Sequence, residues 1–418
     1  MSVNPPAPVS FILRCISCGR EHPATANDLV CERCGSPIEA LYDYEKAVGN
    51  ARRIPSNESI QGVWRYSPLL PINRKTRIFS LGEGGTPTLR AERLEEMLRM
   101  TRVFVKNESR NPTLSFKDRK STVSVSKASE FGARAMACMT AGNAGSSIAA
   151  YAAKAQIPAY IFTIGGISDS KMAKLLSYGA HVFRTSSPTR DLMVFVQEVC
   201  QKYGMMNLTA ASRYNPYIKE GAKTSLFEVY EDLDGSLPDW FIVPIGGGGN
   251  LTSIFKGLRE LKLMGLLDHY PKMAGVQGKN CAPVAEAFEK GLSPDLMVIQ
   301  NPSTIAHSIL DSWAPDGEQA LRAIRETNGL ALGVSDGEIL DAMKILSSKE
   351  GLFLEPAAAA PLAALKRMLT LNQVGRDESV LLFATGSGSN QPEAAIQAWD
   401  NPPSIELDLE SFGKFVGR

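Results

Sequence analysis

Neither sign of charge dominates this sequence: 45 lysines and arginines face 44 aspartates and glutamates over 418 residues, a formal net charge of +1. Such a balance supplies no general field for gathering nucleic acid or anionic lipid. Long apolar runs are also missing. Ala357–Leu365, with Pro361 inside it, is among the longest and is too short to span a bilayer. The start, MSVNPPAPVSFILRC, has no basic stretch leading into an apolar run, so no secretory leader is expected. Histidine is scarce: His22, His181, His269 and His307 stand alone, without an HxxxH pair. Cysteine is scarce as well. Of seven, four crowd near the N-terminus while Cys138, Cys200 and Cys281 are scattered, which suits a reducing cytoplasm better than a disulfide scaffold. Disorder is excluded in turn, because 44% of the residues are apolar.

What is present begins with two CxxC pairs. Cys15-Ile-Ser-Cys18-Gly and Cys31-Glu-Arg-Cys34-Gly are separated by 12 residues between Cys18 and Cys31. Each pair can turn two thiolates toward one ion, and together they supply the four soft ligands of a closed structural zinc site. Two disulfides are the alternative. His22, close to Cys18, is the histidine placed to substitute as a ligand. Beyond Tyr42 the sequence reads as a linker to about Pro71. From there strand-like runs (VFVKN, ARAMACMT, AYIFTI, HVFRT, WFIVPI, MAGVQG, VLLFATG) alternate with helical patterns over Ala91–Arg99, Phe116–Phe131, Ser146–Lys154, Lys171–Tyr178, Arg190–Tyr203, Leu251–Met264 and Asp336–Glu350. The alternation predicts an α/β fold of right-handed βαβ units around mostly parallel sheets.

Three strand-like runs end in glycine-rich turns: MACMTAGNAGSS, FIVPIGGGGNLTS and LLFATGSGSN. In an open α/β sheet, ligands bind at the carboxyl ends of strands, where such turns lie. Gly246, Gly247, Gly248 and Gly249 precede Asn250 and a helix. Successive backbone N–H groups at a helix start favour an anion such as phosphate, and a tight structural turn is the plainer alternative. No Lys-Ser/Thr follows the glycines, so the loop is not of the Walker type. Farther upstream, NESRNPTLSFKDRKST places Lys117 in the first turn of a helix, with Ser115 as its expected N-cap. A lysine there is either a solvated helix residue or, favoured as a neutral amine by the helix dipole, a nucleophile or Schiff-base former.

Together these segments resemble threonine synthase, among the pyridoxal-phosphate enzymes whose fold includes tryptophan synthase β and cysteine synthase. The motifs CISCG…CERCG, VWRYSPLLP, SLGEGGTPTL, NESRNPTLSFKDR, TAGNAGSSIAAYAAKA, NPYIKEGAKT, VPIGGGGN and ATGSG follow in the family's order over essentially the whole chain. The resemblance implies a zinc ribbon over 1–45, an α/β lobe over 46–210 and a second over 211–418. It implies pyridoxal 5'-phosphate on Lys117, with Asn143 at the cofactor's phenolic oxygen. Gly246–Gly249 and Asn250 would cradle the cofactor phosphate, and Thr385 would meet the pyridine nitrogen. Thr140, Ala141, Gly142 and Ala144 would receive the carboxylate of an amino-acid substrate. A structural zinc on Cys15, Cys18, Cys31 and Cys34, a cytoplasmic setting and a homodimer belong to the same expectation, with neither nucleic acid nor membrane as partner. The implied reaction converts O-phospho-L-homoserine and water to L-threonine and phosphate.

Several positions depart from the family's pattern. Leu114 and Lys120 replace glycines common around the lysine, and Ser387 stands where histidine is frequent. In NPYIKEG, Ile218 occupies the place of an arginine that holds the substrate's phosphate, and isoleucine cannot make those bonds. Arg213 is the expected replacement, with Lys219 beside it as a further candidate. A paralogue performing β-replacement or β-elimination on an O-activated serine, serine or threonine is the alternative. A non-catalytic zinc-ribbon binding protein is opposed by the neutral charge and the full set of cofactor motifs. Cys138, inside a strand-like run, reads as core, and Glu355 before Pro356 reads equally as a turn residue or a cleft residue.

Overall fold

All seven strand-like runs form strands, and the pattern within each shows where it lies. Met136–Thr140, Trp240–Pro244 and Val380–Ala384 are apolar except at Thr140 and buried along their whole length, as strands covered on both faces must be. His181–Thr185, mostly exposed, is an edge strand. The computed structural model describes residues 10–23, 30–49, 53–73, 75–165 and 167–416. The first nine residues, where a leader would stand, lie outside the described residues.

The larger sheet has six strands in the order Leu330–Val334, Lys272–Gly278, Trp240–Pro244, Val380–Ala384, Val103–Asn107 and Thr88–Arg90. Its pairs are parallel except the last, where Thr88 faces Lys106 in an antiparallel register. A four-stranded parallel sheet follows the order His181–Thr185, Ala159–Ile164, Met136–Thr140 and Met206–Asn207. The α/β class and the mostly parallel sheets are thus as expected. The division at residue 210 is not where the sheets divide. Thr88–Arg90 and Val103–Asn107 join the larger sheet, so the smaller one is inserted between two stretches of the larger.

The N-terminal segment forms a separate antiparallel sheet, Glu21–His22, Phe11–Cys15 and Ile38–Tyr42. Its apolar side, including Leu13, Ile38, Ala40 and Tyr42, packs into the same core as the helix Gly249–Leu263. The stretch read as a linker is only partly one. Gly62–Leu69 is a 3-10 segment that buries Val63, Trp64, Tyr66 and Leu69. The Trp64 Nε1–H donates to Glu83 Oε1 and Thr122 Oγ1, both at 2.9 Å. Aromatic residues carry more apolar area than a solvated linker can expose.

One further local reading changes. Ser115 does not cap its helix: the helix spans Lys117–Glu130 with Phe116 at its start, and Ser115 Oγ is buried without a hydrogen-bond partner among the described residues. The alanine-rich EPAAAAPLAAL opens a helix, Pro356–Thr370, buried along most of its length. A helix enclosed on all sides carries no polar stripe to betray its period.

Candidate active site

Strand ends bring the functional segments together. The turn Thr140–Asn143 follows Met136–Thr140, the glycine loop follows Trp240–Pro244, and Thr385 follows Val380–Ala384. Lys117 begins its helix alongside, held there because the Phe116 N–H donates to the Thr385 carbonyl at 3.0 Å. One cleft is lined by Lys117, Thr140, Ala141, Gly142, Asn143, Ala144, Gly246, Gly247, Gly248, Gly249, Asn250 and Thr385. It lies at the carboxyl ends of the strands, the place an open α/β sheet leaves for ligands.

Two loops shape its walls. The Thr140 hydroxyl accepts the Gly142 and Gly145 N–H groups, both at 2.9 Å, leaving its own proton to donate into the cleft. Gly142 has a φ of 144°, and a Cβ there would stand 2.6 Å from Lys171 Cδ. In the glycine loop, a Cβ on Gly246 would lie 2.5 Å from Asp311 Oδ2, and one on Gly248 2.8 Å from the Asp316 carbonyl. Side chains would fill this cradle, while its bare backbone can approach an anion. The first N–H groups of the Gly249–Leu263 helix have no acceptor within their own helix. Loop and helix start therefore fit a phosphate such as that of pyridoxal phosphate.

The charges in the cleft are modified by their surroundings. Lys117 is partly accessible, yet desolvation lowers its pKa, and nearby Asp311 and Glu355 only partly restore it. Its Nζ lies 4.6 Å from the Phe116 ring centroid. An amine so placed is more readily neutral, as a base or nucleophile requires. Asp311 is pushed up to about 6 by desolvation, against the pull of Lys117 and the Gly247 N–H. Asn143 is fixed from outside: its Nδ2 donates to Glu355 Oε1 at 2.7 Å and to Ser308 Oγ at 3.2 Å. Among the described residues the buried Glu355 Oε2 has no hydrogen-bond partner, although Lys171 Nζ is 3.7 Å away.

The cleft is also lined by Lys120, Ser308, Asp311 and Glu355, none of them among the expected site residues. A carboxylate before proline carries no signal of a partner 212 residues away, as Asn143 is from Glu355. Arg213 is absent from the cleft lining; its guanidinium carbon is 5.9 Å from the Trp313 ring centroid. Lys219 turns elsewhere too, bonding to Gln319 beside a groove bordered by Glu39 and Arg259. Neither is among the described residues that line the cleft.

In the N-terminal sheet, Cys15, Cys18, Cys31 and Cys34 bring their sulfur atoms within 4.8 Å of one another. The pairs Cys15–Cys34 and Cys18–Cys31 stand at 3.4 and 3.6 Å. Zinc–sulfur bonds of about 2.3 Å in a tetrahedron put sulfurs about 3.8 Å apart, so the set suits that ion and leaves no open position. All four are free thiols, and His22 is not part of the cluster.

Comparison with known proteins gives the same picture. The family described as "Pyridoxal-phosphate dependent enzyme" matches residues 79–386. A threonine synthase of Methanocaldococcus jannaschii is 38% identical over 96% of this chain and 98% of its own. One of Methanosarcina acetivorans is 35% identical over 97% of this chain and 98% of its own. Among solved structures, Escherichia coli diaminopropionate ammonia lyase superposes with a TM-score of 0.66 at 17% identity, covering 77% of this chain and 88% of that one. Maize serine racemase gives 0.60 at 19% identity, covering 79% and 91%. With the cleft and the full-length likeness in agreement, the chain belongs to the pyridoxal-phosphate dependent enzymes and, within them, to the threonine synthase family.

Proposed function

We propose that this protein is a threonine synthase, a lyase that converts O-phospho-L-homoserine and water to L-threonine and inorganic phosphate. One observation carries the reading: residues as far apart in sequence as Lys117 and Thr385 line a single cleft together with the glycine loop. Lys117, Asn143, Gly246–Gly249, Asn250 and Thr385 would hold the cofactor. When bound, pyridoxal phosphate supplies the electron sink that lets a proton leave Cα. Thr140, with the backbone of Ala141, Gly142 and Ala144, would orient the substrate carboxylate. The Lys117 Nζ would take the proton from Cα and then one from Cβ of the bound amino acid. Phosphate would leave from Cγ, and the two protons held by Lys117 would return to Cγ and to Cα. Water would add its hydroxyl at Cβ and give its remaining proton to the released phosphate. Desolvation of Lys117 supports this use as a base. Thr385 would offer the ring nitrogen a neutral hydroxyl, which suits elimination and addition better than transamination.

A second reading, β-replacement or β-elimination on an O-activated serine, serine or threonine, draws on the absence of any arginine among the described residues of the cleft lining. Incubation with phosphohomoserine, with phosphoserine in parallel, separates the two. Equal amounts of threonine and phosphate from phosphohomoserine are expected. Turnover of phosphoserine alone would replace the first reading with the second. We also propose a structural zinc on the four cysteines, and, by family resemblance, a cytoplasmic homodimer, which sedimentation would check.

A further inference from the structure

The cleft holds little positive charge for the phosphorylated guests proposed above. Among its described lining residues the cations are Lys117 and Lys120, and the anions are Asp311 and Glu355. Once Lys117 is committed to cofactor and proton transfer, Lys120 is the ammonium that remains. Lys171 stands next to Gly142, but its Nζ already donates to Ser308 Oγ at 3.0 Å with Glu355 3.7 Å away.

Lys120 follows Lys117 by three residues on one helix, so both face the same side. It is only 3% exposed. No carboxylate of the described residues comes within ion-pair distance of its Nζ, which lies 5.2 Å from the Phe116 ring centroid. A Cβ on Gly249 would stand 3.2 Å from that Nζ and 3.0 Å from Asp316 Oδ2, so the ammonium reaches the start of the Gly249–Leu263 helix with the Asp316 carboxylate beside it. That carboxylate already accepts the Ser212 N–H at 3.0 Å. Lys120 also borders a smaller cavity shared with Lys117 and Ile218, where Ile218 brings no charge. Desolvation and the neighbouring Lys117 both push its pKa well down, with Asp316 pulling back. A buried ammonium without a partner is costly, and an incoming dianion removes the cost.

We propose that Lys120 is the cation that receives a phosphoryl dianion in this cleft, together with the N–H groups at the helix start. The inference rests on the phosphorylated-substrate reading above and names the residue that recognises the phosphoryl group. That group belongs either to the substrate or to the cofactor, and the test distinguishes them.

The holoenzyme is compared with Lys120→Met, Lys120→Gln and Lys120→Arg. Calorimetry with inorganic phosphate reads the substrate side, and loss of cofactor absorbance on dilution reads the cofactor side. Removing a charged hydrogen-bonding partner is expected to weaken phosphate binding about ten- to hundredfold in the Met and Gln variants. The Arg variant should stay within about threefold, and unphosphorylated homoserine should bind all forms alike. Weaker phosphate binding with the cofactor retained assigns the dianion to the substrate. Faster cofactor loss with phosphate affinity unchanged assigns it to the cofactor. If either neutral variant folds with an unchanged melting curve and shifts neither quantity, the proposal is overturned. A wild-type holoenzyme that needs Lys120 for phosphate yet makes no threonine from phosphohomoserine would sink the proposed activity and leave this role standing.

Discussion

At Gly248 the chain turns at a φ of 93°, where a Cβ would lie 2.8 Å from the Asp316 carbonyl. Left-handed backbone costs a residue with a Cβ about 1–2 kcal/mol, and here the clash with backbone adds to it. Gly248→Ala is therefore expected to lower stability by at least about 2 kcal/mol and to weaken cofactor retention, read by denaturant melts and by absorbance after dialysis. A variant with wild-type stability and cofactor content would show that the loop can move aside. Leu114 is the opposite case, a residue with a side chain held at a φ of 69°. Its carbonyl accepts from the Ser387 N–H and from Asn390 Nδ2, both at 3.0 Å. Leu114→Gly should relieve about 1 kcal/mol of backbone strain while adding unfolded-state entropy of similar size, so its melt should move little. Constraints of this local kind are the ones a sequence displays. Four consecutive glycines announce close backbone approach, whereas Glu355 and Asp311 acquire meaning only from partners the fold supplies.

The helix Lys117–Glu130 shows how far local pattern can mislead about an element. KDRKSTVSVSKASE reads as a solvated face, yet Asp118 through Ala128 are all buried. Its strand neighbours were legible because apolar runs bounded by turns have few other readings. This helix was legible in extent but not in burial, because its polar groups are satisfied across the core. Arg119 is fully buried and donates to Glu108 Oε2 at 2.8 Å, to Glu228 Oε1 at 2.7 Å and to Thr224 Oγ1 at 3.1 Å. The helix is thereby joined to Thr224–Asp232 and to the turn after Val103–Asn107. Arg119→Met leaves the buried Glu108 without its ion-pair partner and Glu228 with Lys106 alone, and should cost about 3–5 kcal/mol at neutral pH. Acid should undo the same clamp. Burial would raise the pKa of Glu228, but Arg119 and Lys106 overcome it and hold the group at about 2 instead of 4.5. A depressed carboxylate pKa contributes stability above its unfolded value and loses it as pH falls toward the folded one. Wild-type stability should therefore drop between pH 4.5 and about 2, measured by urea melts, with a shallower slope in Arg119→Met. An equally steep slope in the variant would remove this clamp as its cause. Glu39 is held at about 2 by Lys256 and Arg259 against its own burial, so some slope remains in either case.

Across the whole molecule the small N-terminal sheet is joined to the body by charge as well as by apolar packing. Tyr42 OH donates to Glu220 Oε2 at 2.8 Å, Lys256 Nζ to the Ala40 carbonyl at 2.6 Å, and Arg259 Nη1 to Glu39 Oε1 at 3.1 Å. Beneath that seam, Lys223 and Lys256 pair with Glu220 and Glu260 in full burial. No described residue of this sheet or its cysteine turns lines the cleft. If zinc holds the four thiolates, losing it should loosen the sheet, wet the charge cluster and destabilise the chain without altering the chemistry. Elemental analysis should find one zinc per chain. Cys34→Ser, or a strong chelator, should remove it and lower the melting temperature by roughly 5 °C or more, since each kcal/mol moves a chain of moderate size by about 2–4 °C. Under the same treatment, kcat/KM at 25 °C should stay within about twofold, a difference of less than half a kcal/mol. A metal-free protein that melts unchanged would remove zinc from the account of stability. One that keeps its melting temperature and loses activity would place the cysteine cluster in the chemistry, although none of the four cysteines lines the cleft.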